Sequence, residues 1–149
     1  MEVRYSKDNT IRGIFITYNE KERDSIMKLK SFFNYHLQQI KVRTTDGRYC
    51  YVNIMDIYYI ESLDGRCLIY DKTKIYFALD RFQNYKTGLR RQGFVQCNKT
   101  QIVNTYHMRD IEIYKDCQRI ITLDNEEILL VSRRYKQDID QYKQKLRLF

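Results

Sequence analysis

The stretch Phe94-Val95-Gln96-Cys97-Asn98-Lys99-Thr100-Gln101-Ile102-Val103-Asn104 reads as two short β-type runs broken at a polar turn. Thirty residues after Lys99 begins a second such break, Leu129-Leu130-Val131-Ser132-Arg133-Arg134-Tyr135. Each sets a cationic side chain beside a small hydroxyl residue where an apolar run ends. Arg and Lys reach phosphates and guanine edges, and Ser and Thr bond phosphates or cap the next helix. Two such points in one basic chain imply a surface that reads nucleic acid.

The pattern around these stretches is that of strands. Lys41-Val42-Arg43-Thr44 and Tyr49-Cys50-Tyr51-Val52 flank Asp46-Gly47, a hairpin signal. A strand is expected over Asp56–Glu61, and Asp64-Gly65 turns it into Cys67–Tyr70. Lys74–Phe77 follows. A helix interrupts, with Asp80 as its cap, Gln83 completing a capping-box pair, and Leu79, Phe82 and Leu89 as its buried stripe. Lys86, Arg90 and Arg91 lie on its outer face, and Gly93 stops it. Later strands are expected over Phe94–Gln96, around Ile102-Val103, over Ile111–Tyr114, Arg119–Leu123 and Ile128–Val131. Ser132 is the expected cap of a last helix carrying Tyr135, Ile139, Tyr142 and Leu146.

Ahead of this region, Ile11–Tyr18 reads as a strand and Asn19 as an N-cap. Glu20 and Glu22 favour the first turn of a helix, in which Ile26, Leu29, Phe33 and Leu37 recur at helical spacing. Residues 1–38 are therefore taken as a strand-helix extension, and residues 40–149 as the main domain. The expected fold class is mainly β, with layered antiparallel sheets and a few short helices.

The 149 residues suffice for one domain with a real core. Lys and Arg number 27 against 19 Asp and Glu, a formal charge of +8. Residues 1–40 hold 7 basic and 5 acidic side chains and residues 41–149 hold 20 and 14, so the strand-rich part carries most of the positive field. Tyr is abundant, at 14, and suits half-buried strands as well as stacking on bases. No segment approaches the roughly 20 apolar residues of a membrane span, and the start lacks the apolar run of a signal peptide. A cytoplasmic location is expected. Cys50, Cys67, Cys97 and Cys117 form no Cys-x-x-Cys pair and are read as free thiols.

Enzyme chemistry finds no support. Five glycines make no phosphate loop, no Ser-His-acid motif is present, and His36 and His107 have no companion ligands at metal spacing. No cofactor or metal is expected. The alternatives to a DNA reader are a basic β-rich RNA-binding or ligand-binding module, and a protein-interaction adaptor working through the Ile26, Leu29, Phe33 stripe.

Five markers in order resemble the LytTR family of bacterial DNA-binding domains. They are Asp56–Ser62, the Leu79–Gly93 helix, Phe94–Thr100, Ile102–Asn104 and Val131–Tyr135. The resemblance covers roughly Ile40 to Leu146. It implies short antiparallel strands in layered sheets, with loops rather than a recognition helix entering successive major grooves of double-stranded DNA. It also implies transcription regulation from direct-repeat sites bound by a homodimer. Lys99 matches a position where the family has a base-reading Arg or Asn, Arg134 matches the second reader, and Arg66 lies in a loop where some members place a contact. Asn98 stands where many members have His. Thr100, Ser132, Arg133 and Lys136 complete the candidate DNA-binding set, the last two as phosphate ligands. Cys97, close to the first loop, is read as a small buried residue, and Asn104 as a turn-bonding one. Most members carry a phosphorylated receiver ahead of this domain, whereas about 40 residues without receiver-like alternation precede it here. Some receiver-less members are paired with an inhibitory membrane protein, which the resemblance therefore makes a candidate partner.

Overall fold

A computed structural model of the chain describes residues 17–36 and 38–146. Two units divide it, residues 1–36 and 37–149. In the first, Asn19 accepts from the Lys21 N–H at 3.1 Å and starts a 3-10 turn over Glu20–Glu22, which leads into α1 (Arg23–His36). Ile26 and Leu29 are half-buried within this unit, and Met27 is exposed. Most of the strand expected over Ile11–Tyr18, and the side chains of Phe33 and Leu37, lie outside the described residues.

The second unit holds ten strands among the described residues. They are β1 (Gln39–Arg43), β2 (Tyr49–Asn53), β3 (Tyr59–Leu63), β4 (Arg66–Tyr70), β5 (Ile75–Ala78), β6 (Phe94–Asn98), β7 (Gln101–Asn104), β8 (Met108–Ile113), β9 (Arg119–Leu123) and β10 (Ile128–Val131). Two helices accompany them, α2 (Phe82–Gly88) and α3 (Lys136–Leu146). Seven strands form one sheet in the order β2-β1-β5-β4-β3-β7-β6, and three form another in the order β10-β9-β8. All strand pairs are antiparallel. The layered antiparallel architecture expected from the sequence is the one observed.

Side-chain alternation divides the interior between two cores. Ile60, Ile69 and Ile102 face one side of the large sheet and pack with Val42, Val52, Tyr85 and Leu89. Their neighbours Tyr59 and Val103 face the other side and pack with Ile111, Ile121, Leu123, Val131 and, from α3, Ile139. Asn104 is fully buried between them. Its amide donates to the Ile57 carbonyl at 2.9 Å and its oxygen accepts from the Tyr106 N–H at 3.1 Å, which is the turn-bonding role expected of it. His107 is structural too. It stacks on Tyr58 with ring centroids 3.9 Å apart and faces Asp124 and the Met55 carbonyl with its two ring nitrogens. Burial pulls the Asp124 carboxyl upward, but hydrogen bonds with Tyr58 and His107 outweigh it and hold the group below the usual carboxylate range.

Three local expectations are corrected. β3 begins at Tyr59 rather than Asp56, because Asn53 accepts from the Met55 N–H and starts a 3-10 turn over Ile54–Asp56. α2 begins at Phe82 with Arg81 at its N-cap position, and Leu79 is 49% exposed rather than part of a buried stripe. Asp80 instead accepts from the Arg81 N–H and the Asn84 amide, both at 2.7 Å. Ser132 does occupy the N-cap position of the 3-10 turn Arg133–Tyr135 that leads into α3, but its side chain makes no capping bond.

Candidate nucleic-acid interface

Three connections reach one end of the large sheet: the β3–β4 turn, the β6–β7 turn and the junction between β10 and α3. The first is a two-residue hairpin, with Leu63 paired to Arg66 and both Asp64 (φ 50°) and Gly65 (φ 77°) left-handed. Two positive φ values in a two-residue loop define the turn that suits strand twist, which is why Asp-Gly occupies it. Arg66 leaves this turn exposed to solvent.

The β6–β7 turn is shaped by a bulge. Gln96 pairs with Ile102 and Asn98 with Gln101, so Cys97 is the extra residue. The bulge sends Cys97 into the second core at 0% exposure and brings Asn98 to the face where Gln101 lies. Burial pushes the Cys97 thiol up to about 12, leaving it an unreactive apolar group. Asn98 Oδ1 accepts from the Thr100 N–H at 3.0 Å and from the Thr100 hydroxyl at 3.2 Å, closing the turn. Its Nδ2 donates to Gln101 Oε1 at 2.6 Å and to the Leu130 carbonyl at 3.0 Å. Lys99, at the tip, is exposed, and no carboxylate among the described residues pairs with it.

That Asn98–Leu130 bond joins the first turn to the strand leading into the third connection. A second bond, from the Ser132 N–H to the Cys97 carbonyl at 3.0 Å, repeats the tie. Downstream of it, Arg134 is exposed, with its guanidinium 5.9 Å from the centre of the Tyr135 ring. Arg134 forms no ion pair with Asp138, four residues on, among the described residues. Arg133 lies 3.6 Å from Asp116, both well exposed, a geometry worth little in water. Lys136 is half-buried at the start of α3. Arg119 fixes α3 through a bidentate pair with Asp140 at 2.9 Å for each bond.

The β3–β4 hairpin is linked to the same assembly. The Ser62 N–H donates to the Thr100 carbonyl at 2.8 Å, and Gln101 Nε2 donates to Glu61 Oε1 at 2.8 Å. Glu61 Oε2 accepts from the Tyr70 hydroxyl at 2.9 Å. Burial, then the bond to Glu61, raises Tyr70 to about 12. A continuous polar chain therefore runs Tyr70–Glu61–Gln101–Asn98–Leu130 across four strands and into the small sheet.

The structure thus brings Asn98, Lys99, Thr100, Ser132, Arg133, Arg134 and Lys136 together, with Arg66 on β4, which reaches β7 through β3. Asn98 presents no spare amide hydrogen, since both are spent within the protein. Sequence reasoning did not find Glu61, Gln101 and Tyr70, the residues that hold the turns in place. The only local signal for them was polar residues interrupting strand patterns.

Residues 47–144 match the family model of the LytTr DNA-binding domain. The chain belongs to the LytTR family. Among solved structures, it is similar to the LytTr DNA-binding domain of a protein described as a methyl-accepting/DNA response regulator from Bacillus cereus. The two share 22% sequence identity at a TM-score of 0.64, over 70% of this chain and 94% of that one. At this identity the likeness speaks for the fold. No curated protein matches the chain. The match places a DNA-binding domain over the strand-rich part. Among the described residues no His, Cys, Asp and Glu cluster could hold a metal ion, and no helix is long and apolar enough to cross a membrane.

Proposed function

We propose that this LytTR protein is a cytoplasmic transcriptional regulator that binds double-stranded DNA sequence-specifically through inter-strand turns laid in the major groove. The observation that carries the reading is the double tie, Asn98 to Leu130 and Ser132 to Cys97, between the turn bearing Lys99 and the junction bearing Arg134. Base readout needs donors fixed relative to one another, because each contact discriminates only when it meets its base edge in register. In this account Lys99 and Arg134 read bases, Arg66 reaches an adjoining contact, and Thr100, Ser132, Arg133 and Lys136 bind phosphates. Asn98 positions the turn. Lys presents a point charge rather than a planar fork, so Lys99 discriminates less sharply than Arg134.

The family further supports two protomers on direct repeats about one or two helical turns apart, roughly 10–10.5 base pairs each. Residues 1–38 then serve control rather than DNA reading, their apolar stripe burying itself on the strand domain, on a second protomer or on an antagonist such as an inhibitory membrane protein. The test is binding to specific and scrambled duplexes across salt concentrations. The specific duplex should win, with affinity falling by orders of magnitude over modest salt increases. Equal affinity for scrambled duplexes sinks the proposal.

A second reading rests on Tyr49 and Tyr51, 61% and 64% exposed on β2, with the Lys41 ammonium 5.2 Å from the Tyr49 ring centre. Such a surface suits stacking on single strands. Competition between the duplex and single-stranded RNA separates the two readings.

A further inference from the structure

A groove of about 790 Å³ opens beside the β3–β4 hairpin. Arg43 at the end of β1, Arg66 at the start of β4 and Arg81 ahead of α2 line it, over half-buried Phe77 and Phe82. All three arginines are exposed, and no carboxylate among the described residues pairs with them. Asp80, the acidic residue of the lining, already accepts two hydrogen bonds from Arg81 and Asn84. The Arg43 guanidinium lies 5.0 Å from the centre of the Phe77 ring, which restrains it while leaving its edge to solvent.

We infer that this groove is a second phosphate-binding track that holds the duplex backbone beside the base-reading turns. The inference rests on the proposed duplex binding. Continuity favours this occupant, because Ser62 lines the groove and its N–H bonds the Thr100 carbonyl, next to Lys99. A backbone leaving the Lys99 turn meets Arg66 and then Arg43. Arg43 pairs with Phe77 on β5 and Phe77 with Leu68 on β4, so Arg66 stands two strands across and two residues along from Arg43, roughly 12 Å away. Successive phosphates along one strand are farther apart than the axial rise of about 3.4 Å per nucleotide, so that separation lets the two guanidiniums meet different phosphates of one strand. Guanidinium forks match phosphate oxygens, and an arginine set without paired carboxylates gains from a polyanion without first breaking ion pairs.

The test compares the full chain with the double variant Arg43→Gln, Arg81→Gln, and with Arg81→Gln alone in case loss of the Arg43–Phe77 contact unfolds the former. Each neutralised phosphate contact contributes about 0.9 to the slope of log affinity against log salt. The double variant should lose about 2 from that slope and the single variant about 1, while both keep the base preferences of the unaltered chain. Trimming the duplex flanks should erase the difference between variant and unaltered chain. Unchanged slopes overturn the groove and leave the proposed function standing. Unchanged slopes together with lost binding of inorganic phosphate would make it a small-anion site, which also overturns the inference. If the unaltered chain does not bind duplex at all, the functional reading falls and the groove with it.

Discussion

The side-chain amide of Asn98 donates to the backbone carbonyl of Leu130, 32 residues later in the chain, at 3.0 Å. With Ser132 bonded to Cys97, it makes one rigid piece of two turns that belong to different sheets. Replacing Asn98 with Ala removes its side-chain hydrogen bonds to Thr100, Gln101 and Leu130 and should cost about 1–3 kcal/mol in chemical denaturation. Asn98→Asp should cost more, because its oxygens would face Gln101 Oε1 and the Leu130 carbonyl. Base preference should blur in both variants. If Asn98→Asp were as stable as the parent, the tie would not be structural.

Lys99→Ala and Arg134→Ala should each weaken specific binding by about 1–3 kcal/mol and relax preference at particular base pairs. Lys136→Ala should weaken all duplexes alike. Base preferences unchanged in both reader variants would refute these assignments, even with reduced affinity.

The strand pattern was legible because its punctuation is chemical. Asp64-Gly65 can be read as a hairpin since both residues must adopt positive φ. The Phe94–Asn104 stretch shows its two strands through β-branched and aromatic residues on either side of a polar tip. Less legible were ends decided by single side chains. Asn53 starts a 3-10 turn where apolar residues continue, so Ile57 and Tyr58 look like strand although β3 starts at Tyr59. Asp80 resembles a cap, yet its carboxylate is used by Arg81 and Asn84 and the helix starts later. The ties that build the site were not readable at all, because Asn98–Leu130 and Glu61–Gln101 join residues 32 and 40 positions apart. Local periodicity carries no information at that range.

Tyr58, Tyr70 and Tyr76 are each raised to about 12, first by burial and then by hydrogen bonds to Asp124, Glu61 and Asp71. Their folded values lie above the ordinary phenol value of about 10, so the fold favours the neutral phenol. Their contribution is complete below pH about 10 and is lost as pH rises through about 12. Thermal melts should fall over that window, with part of the tyrosinate absorbance appearing later in the native protein than in denaturant. Native and denatured titrations that coincide would contradict this.

Ile139 is fully buried where α3 meets the second core. Ile139→Ala should destabilise by about 2–5 kcal/mol through the cavity it leaves. Loss below about 1 kcal/mol would mean that α3 is not anchored there.

Deleting residues 1–38 should leave residues 39–149 recognising the same sequence, with reduced cooperativity. A folded truncation that lost sequence preference would assign the N-terminal segment to the reading surface.

The central claim is that paired turns read duplex DNA in sequence, and selection of bound duplexes from a random pool by the full chain tests it most directly. The account predicts an enriched motif in two copies of the same orientation, one or two helical turns apart, whose cooperative binding is abolished by inserting about five base pairs between them. A pool that emerges without enrichment would contradict it.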